Sequence, residues 1–536
     1  MNALRRLARG ATLALVAATL LAGVAGCDKR ADNASGATPS AAPAVPTGAH
    51  AFTILAGSEL KDLEPALVEA GRSAGLDVKL SYAGTLDIVE RINAGDKFDA
   101  ILPPNGAYPA LALATHPLTR DKLFYSRVAI GVKGAKLKAL GWDRKAPSWA
   151  DIAAAASSGK LRYAMTNPAS SNTGMSALFA VASALAGKSE DLAVKDVDDK
   201  TLKAFLSGQK LTAGSSGWLA DAFVKDPSAL DAMVNYEAVI LRTNARLDEA
   251  NRLTLVYPRD GMISADYPLM LLNPDKRTED SALVAAIKAA PFQRDALAAA
   301  FIRPSNPDVA VSPSLPGAAA AELSFPNKLD VIDAVLSAYQ AEWRRPATSI
   351  FVLDISGSMK GERIEAMREA LKVLSGVDAS TASARYAAFQ RREHVVLIAF
   401  DNKVEAPEWI RFDQGDIASA QAQLRARADA LEARGGTAIF SAVATAEEVA
   451  RDELHDHPER FVSIVLLTDG ANNSGMHLAD FRKLYATGAP ARVFPILFGE
   501  GQVDDMTALA QATGGRQFDG RNARLAQVFK EIRGYQ

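Results

Sequence analysis

From residue 52 onward the chain alternates short apolar runs with longer segments whose apolar positions recur at helical spacing. The runs predict strands at 52–55, 77–81 and 99–102, with helices over about 60–74 and 86–94 between them. A second region of the same texture begins near residue 128 and predicts strands at 161–166, 238–241 and 253–257 and a helix over 174–186. Residues 304–317 have no period and many prolines, and 329–343 read as a connecting helix. The pattern then restarts, with strands expected at 348–353, 394–400, 460–467 and 491–498 and helices over 361–374, 417–433, 439–452 and 506–512. Strands alternating with helices at these lengths imply parallel α/β layers, and the last stretch reads as a doubly wound sheet. No internal repeat is visible.

Length agrees with more than one core. A chain of 536 residues exceeds what a single core supports. With 49% hydrophobic and 23% charged residues, its bulk folds in water. The N-terminus stands apart. Arg5, Arg6 and Arg9 precede an apolar run over 11–24 that is short for a membrane span, the layout of a signal peptide. The run ends in Val24-Ala25-Gly26-Cys27, and Cys27 is the one cysteine in the sequence, so an intrachain disulfide is excluded. This segment resembles a bacterial lipoprotein signal with its lipobox, which implies that Cys27 becomes the lipid-modified first residue of the mature protein. Asp28 resembles the retention signal of such lipoproteins, implying the periplasmic face of the inner membrane. Removing residues 1–26 leaves 57 basic side chains against 62 acidic ones. Because they are interspersed, no cationic stripe suited to nucleic acid forms. Residues 27–50, rich in Ala, Pro, Gly, Ser and Thr, lack the apolar surface to offset ordering and read as a tether.

The chemistry concentrates in the C-terminal region. Asp354, Ser356 and Ser358 follow its first strand, Thr437 stands in Gly435-Gly436-Thr437, and Asp469 follows Leu467-Thr468. Ligands of doubly wound sheets sit at the carboxyl ends of strands, where these residues fall. Hydroxyls and carboxylates are hard donors suited to Mg²⁺, with Mn²⁺ or Ca²⁺ as alternatives, and with no cysteine pair or paired histidines zinc is disfavoured. The order Asp-x-Ser-x-Ser, then Thr, then Asp resembles the metal-ion-dependent adhesion site (MIDAS) of von Willebrand factor A domains. That resemblance covers about 345–536. It implies that Ser356, Ser358 and Thr437 bind the metal directly, that Asp354 and Asp469 supply charge, and that one position stays open for an acidic side chain of a protein partner. A dication balanced by few carboxylates remains electrophilic, which is the physical reason for such a partner. Enzyme signatures are missing: there is no Gly-x-x-x-x-Gly-Lys loop, no second aspartate two residues after Asp354, no Gly-x-Ser-x-Gly elbow and no His-Glu-x-x-His. His455-Asp456-His457 reads as a solvated helix end.

In the middle region, small polar residues mark several element ends: Gly57-Ser58, Ala83-Gly84-Thr85 and Ser170-Ser171-Asn172-Thr173-Gly174. Such residues cap helices, and with free N–H groups they also cradle anions. The region resembles type 2 periplasmic solute-binding proteins. Residues 124–132 look like the outward crossing between two lobes and 258–272 like the return. The resemblance implies a cleft lined by Ser58, Thr85, Ser126, Ser171, Thr173 and Tyr236, whose hydroxyls suit an oxyanion better than a sugar. The expected organisation is a signal at 1–26, a tether at 27–50, a two-lobed solute-binding-like α/β module at 51–310, a linker with connecting helix at 311–345 and a doubly wound, Rossmann-like domain at 346–536. The expected function is binding without catalysis. In one form the protein grips an acidic partner through a divalent cation, with the solute module as sensor or scaffold. In the other it is the receptor of a membrane transporter, with the metal domain docking the complex.

Overall fold

The computed structural model describes residues 50–317, 320–377, 381–499, 503–521 and 525–535. The expected signal peptide, Cys27 and nearly all of the tether lie outside the described residues.

Three sheets organise the chain. The first has the strand order Leu76–Ala83, His50–Gly57, Ala100–Leu102, Pro268–Leu271, Asp121–Lys122; its three leading strands are parallel, and Pro268–Leu271 returns antiparallel beside Ala100–Leu102. The second is built on Phe124–Lys133, which pairs antiparallel with Ala232–Tyr236, Leu253–Val256, Ser264–Ala265 and Arg303–Pro304. The chain therefore leaves the first lobe into Phe124–Lys133 and comes back through Ser264–Ala265 into Pro268–Leu271. Both crossings fall where the sequence places them.

A buried ion pair stands at the first crossing, beside the start of Phe124–Lys133. Arg303 donates from Nε and Nη2 to Glu237 Oε1 and Oε2 at 2.6 and 2.8 Å, with Tyr257 Oη and Arg127 N also donating to that carboxylate. Their side chains are 4% and 0% exposed.

One expected strand is a helix. Residues 238–241 lie inside Glu237–Asn244, and the strand is the preceding Ala232–Tyr236. A short apolar run that is buried throughout carries no period to separate the two, so the boundary at Tyr236 was not readable from hydrophobicity. Within the stretch expected as linker, Met262 bridges to Glu322, and Phe325 packs on Phe179 with centroids 4.9 Å apart. The connecting helix Leu329–Ala338 continues as a wider turn over Tyr339–Trp343.

The third sheet has the order Glu408–Arg411, Glu393–Phe400, Ala347–Asp354, Phe461–Thr468, Arg492–Leu497, Phe518–Asp519, parallel except for the edge strand Glu408–Arg411. Every residue of Ala347–Asp354 and of Glu393–Phe400 is buried, as expected of central strands covered by helices on both faces. Chain order reverses at Ala347–Asp354: the next strand lies on one side and Phe461–Thr468 on the other. That reversal opens a crevice at the carboxyl ends of Ala347–Asp354 and Phe461–Thr468. Among the described residues no helix is long and apolar enough to cross a membrane.

Candidate functional site

The crevice gathers residues from three loops. Asp354 ends its strand; its Oδ1 accepts from Ser356 N at 2.8 Å and its Oδ2 from Thr468 Oγ1 at 2.6 Å. Those bonds turn the chain sharply and bring the two serine hydroxyls within 3.0 Å of each other. Ser358 Oγ reaches on to Asp469 Oδ1 at 2.7 Å. Thr437 arrives on a loop sewn to the first: Gly357 N donates to Gly435 O at 3.1 Å and Arg434 N to Ile355 O at 2.6 Å. Asn473 clamps the threonine from the other side, its N donating to Thr437 O at 2.9 Å and its Oδ1 accepting from Thr437 N at 2.8 Å. A Cβ on Gly470 would stand 3.6 Å from both Ser358 Oγ and Thr437 Oγ1, so a bare backbone lies beside those hydroxyls.

All five residues singled out in the sequence thus converge. Asp354, Ser356, Thr437 and Asp469 are buried. Burial raises the Asp354 carboxyl above its ordinary value, bonds from Ser356 and Thr468 offset part of that, and the Asp469 charge adds to the rise. A buried carboxylate in that state is stabilised by a cation. Two carboxylates and three hydroxyls fit a hard dication, and among the described residues, this site included, no group of three or more His, Cys, Asp and Glu gathers to hold a metal. His457 follows the end of helix Ile439–Asp456 with its side chain 45% exposed.

Sequence reasoning missed Arg363. Its Nη1 donates to Asp469 Oδ2 at 2.5 Å and to Ser358 O at 3.3 Å, so a guanidinium neutralises one of the two acids. The signal available was its place in the first turn of helix Glu362–Leu374, directly after the serine loop.

The second site is a cavity of about 270 Å³ between the two lobes. Of the six residues expected to line it, Ser58, Thr85 and Ser171 do. Tyr236, Thr173 and Ser126 lie deeper, buried outside that lining. Asn172 Nδ2 donates to Tyr236 Oη at 2.9 Å and Thr173 Oγ1 meets Ser216 Oγ at 2.5 Å, a polar network that braces the loop. Ser126 Oγ is buried without a hydrogen-bond partner among the described residues. The lobes touch beside the cavity, since a Cβ on Gly84 would come within 2.4 Å of Ser170 O.

Two lining acids were not anticipated. Burial pushes Glu59 up to about 7 against a weaker opposing bond to its own backbone, and pushes Asp87 up to about 6 with the Glu90 charge adding to it. The charge of Arg242 acts against the rise at Glu59, and those of Lys530 and Arg91 against the rise at Asp87.

The architecture is that of a bilobed binding module joined to a doubly wound domain with an oxygen-rich site at its switch point. A family model described as bacterial extracellular solute-binding protein matches residues 52–337, more than half of the chain, and a von Willebrand factor type A domain model matches residues 349–472. The chain belongs to the bacterial extracellular solute-binding protein family and carries a von Willebrand factor type A domain after that module. The solute-binding match extends into the connecting helix that the sequence assigns to the linker.

Similar solved structures include a von Willebrand factor type A protein from Catenulispora acidiphila, 20% identical over 36% of this chain and 42% of that one, with a TM-score of 0.28. The match thus spans less than half the length of that structure. The sulfate-binding protein SubI from Mycobacterium tuberculosis is 18% identical over 54% of this chain and 96% of its own, with a TM-score of 0.39. A ferric binding protein from Campylobacter jejuni is 14% identical over 54% and 98%, with a TM-score of 0.42. No curated protein matches the chain.

Proposed function

We propose that this is an envelope lipoprotein, anchored through Cys27 at the periplasmic face of the inner membrane, that binds a protein partner through a divalent cation and does not catalyse a reaction. Ser356, Ser358 and Thr437 would hold Mg²⁺, Mn²⁺ or Ca²⁺, with Asp354 and Asp469 supplying charge. The bound dication would offer an electrophilic position to a Glu or Asp of the partner. One observation carries this reading: five oxygen-bearing side chains from three loops meet at the switch point of the sheet. The solute-binding module acts beside it as sensor or scaffold. A cavity between the lobes also favours a second reading, in which the chain is the receptor of a membrane transporter and the metal domain docks the complex.

The first reading is tested by thermal unfolding with and without Mg²⁺. At a hundredfold excess over Kd the wild type gains about 2.7 kcal/mol. Asp354→Ala gains nothing, because removing it takes away both a charge and the bond that bends Ser356 into place. Equal gains in the two proteins would refute the metal assignment.

Arg363 supplies an independent check. Its side chain is 39% exposed, so its pair with Asp469 is worth at most about 1 kcal/mol. In Arg363→Gln the carboxylate is released, and Mg²⁺ affinity measured by calorimetry rises up to about fivefold. An unchanged affinity would mean that Asp469 does not face the metal.

A further inference from the structure

The cavity between the lobes has a third wall. Besides Ser58 and Thr85 of the first lobe and Ser171 and Gly214 of the second, it is lined by Arg516, Lys530, Glu531 and Gly534 of the von Willebrand domain. These belong to, or pack against, the C-terminal helix Leu525–Arg533. The fit is close: a Cβ on Gly534 would come within 2.7 Å of Gly214 Cα and 2.8 Å of Ser170 Oγ. Outside the cavity, Tyr535 stands edge-on to Trp218 of the second lobe at 4.6 Å, and Lys225 Nζ donates to Gln511 O at 2.8 Å.

The cations of this lining already have partners. Arg533 is bound to Glu393, and Arg516 Nη1 donates to Tyr535 Oη at 2.6 Å and to Glu531 at 3.2 Å. Lys61 Nζ sits 5.4 Å from the Tyr82 ring centroid, and Lys530 Nζ lies 3.9 Å from Glu90. The acceptors are in a different state. Thr85, 1% exposed, has an Oγ1 with no hydrogen-bond partner among the described residues, and so does the buried Glu59 Oε1. Burial outweighs the attraction of Arg242 at Glu59 and of Lys530 and Arg91 at Asp87, and holds the two carboxyls near 7 and 6. A ligand that donates hydrogen bonds and brings positive charge satisfies Glu59 Oε1 and favours both carboxylates, and the Thr85 hydroxyl, which can donate or accept, accommodates it; an anion leaves the Glu59 oxygen unsatisfied.

We propose that the cavity binds a small organic cation, an amine or a guanidinium, held by Glu59, Thr85 and Asp87 and enclosed on its third side by the C-terminal helix of the von Willebrand domain. The proposal rests on the reading of residues 52–337 as a solute-binding module and names its solute class. It also makes solute occupancy a joint property of both domains, since neither lobe closes the cavity without the helix.

Calorimetry on the full chain tests it with agmatine and putrescine as cationic probes, sulfate as an anion and glucose as a neutral solute. A cationic probe binds the wild type, at least tenfold more weakly Glu59→Gln, and at least fivefold more weakly Trp218→Ala, which loosens the third wall without touching the cavity. Gly534→Ala gives the same loss by pushing the helix off Gly214. Cooperative melting of each variant separates these losses from unfolding. Sulfate or glucose binding in place of the amines overturns the cationic assignment and leaves the solute-binding reading intact. Amine binding unaffected by Trp218→Ala and Gly534→Ala overturns the third wall. No binding by any probe overturns the proposal, while the family membership of residues 52–337, which rests on the sequence match, stands.

Discussion

Glu393→Ala should destabilise the protein by about 3–5 kcal/mol, because it leaves two guanidinium groups buried without their counter-charge. Glu393 accepts from Arg344 of the connecting segment and from Arg533 of the C-terminal helix, the latter at 2.8 Å to each carboxylate oxygen, and from Gln390 N at 2.7 Å. One carboxylate therefore joins the chain entering the von Willebrand domain to the helix that ends it. Burial alone would raise its pKa; Arg344 and Arg533 outweigh burial and hold it below the ordinary 4.5. A group whose folded pKa is depressed contributes its stability above the unfolded value and loses it as pH falls through the folded value. The gap between wild type and Glu393→Gln, measured by urea unfolding, should thus be full at neutral pH and shrink only below about pH 4.5. A gap independent of pH would mean that the triad acts by packing and not by charge.

The helix held by this triad is also where reading the sequence fell short. Leu525, Val528, Phe529 and Ile532 are buried at helical spacing, yet the helix is not among the elements predicted from the sequence. Even the period would not give its consequence, because nothing in a local pattern tells which foreign surface the polar face of a helix meets. The metal-type site was legible for the opposite reason. Asp354 and Asp469 follow strands, and once the parallel sheet is inferred, strand ends share one edge, so topology brings these two together; Thr437, in the loop between helices Ile417–Asp429 and Ile439–Asp456, was found by the order of the motif. Arg363 escaped because a charged residue in a first helical turn looks like any solvated one. In the solute module, Ser58, Thr85 and Ser171 were found as loop hydroxyls. Ser126, Thr173 and Tyr236 were placed by analogy of position, and the polar network that buries two of them depends on packing. Glu59 was overlooked because an acid after a strand-end serine reads as a surface residue, and its desolvation depends on how the chain packs around it.

The largest effect in the solute module is expected at Glu237. Glu237→Ala leaves Arg303 buried with no carboxylate to receive its two donors, and the cost is about 3–5 kcal/mol by chemical denaturation. The size follows from what the pair joins. Glu237 opens the helix after strand Ala232–Tyr236, while Arg303 lies on Arg303–Pro304, which pairs with Phe124 and Tyr125 at the start of the central strand of the second lobe. Arg303 Nη2 also donates to Pro316 O at 3.0 Å, so the loop beyond it is tied to the same point. Because two desolvated charges repay each other only partly, the double replacement Glu237→Met with Arg303→Met should cost far less than either single one. That non-additivity, read from a double-mutant cycle, separates a charge left unpaired from a simple loss of contacts. If the pair also sets the hinge, the double variant should fold with nearly the stability of the wild type yet bind any solute more weakly, since the crossing strands would no longer be held in one register. Additive losses in the cycle would show that Arg303 finds other partners when Glu237 is gone, and that the ion pair does not fix the crossing.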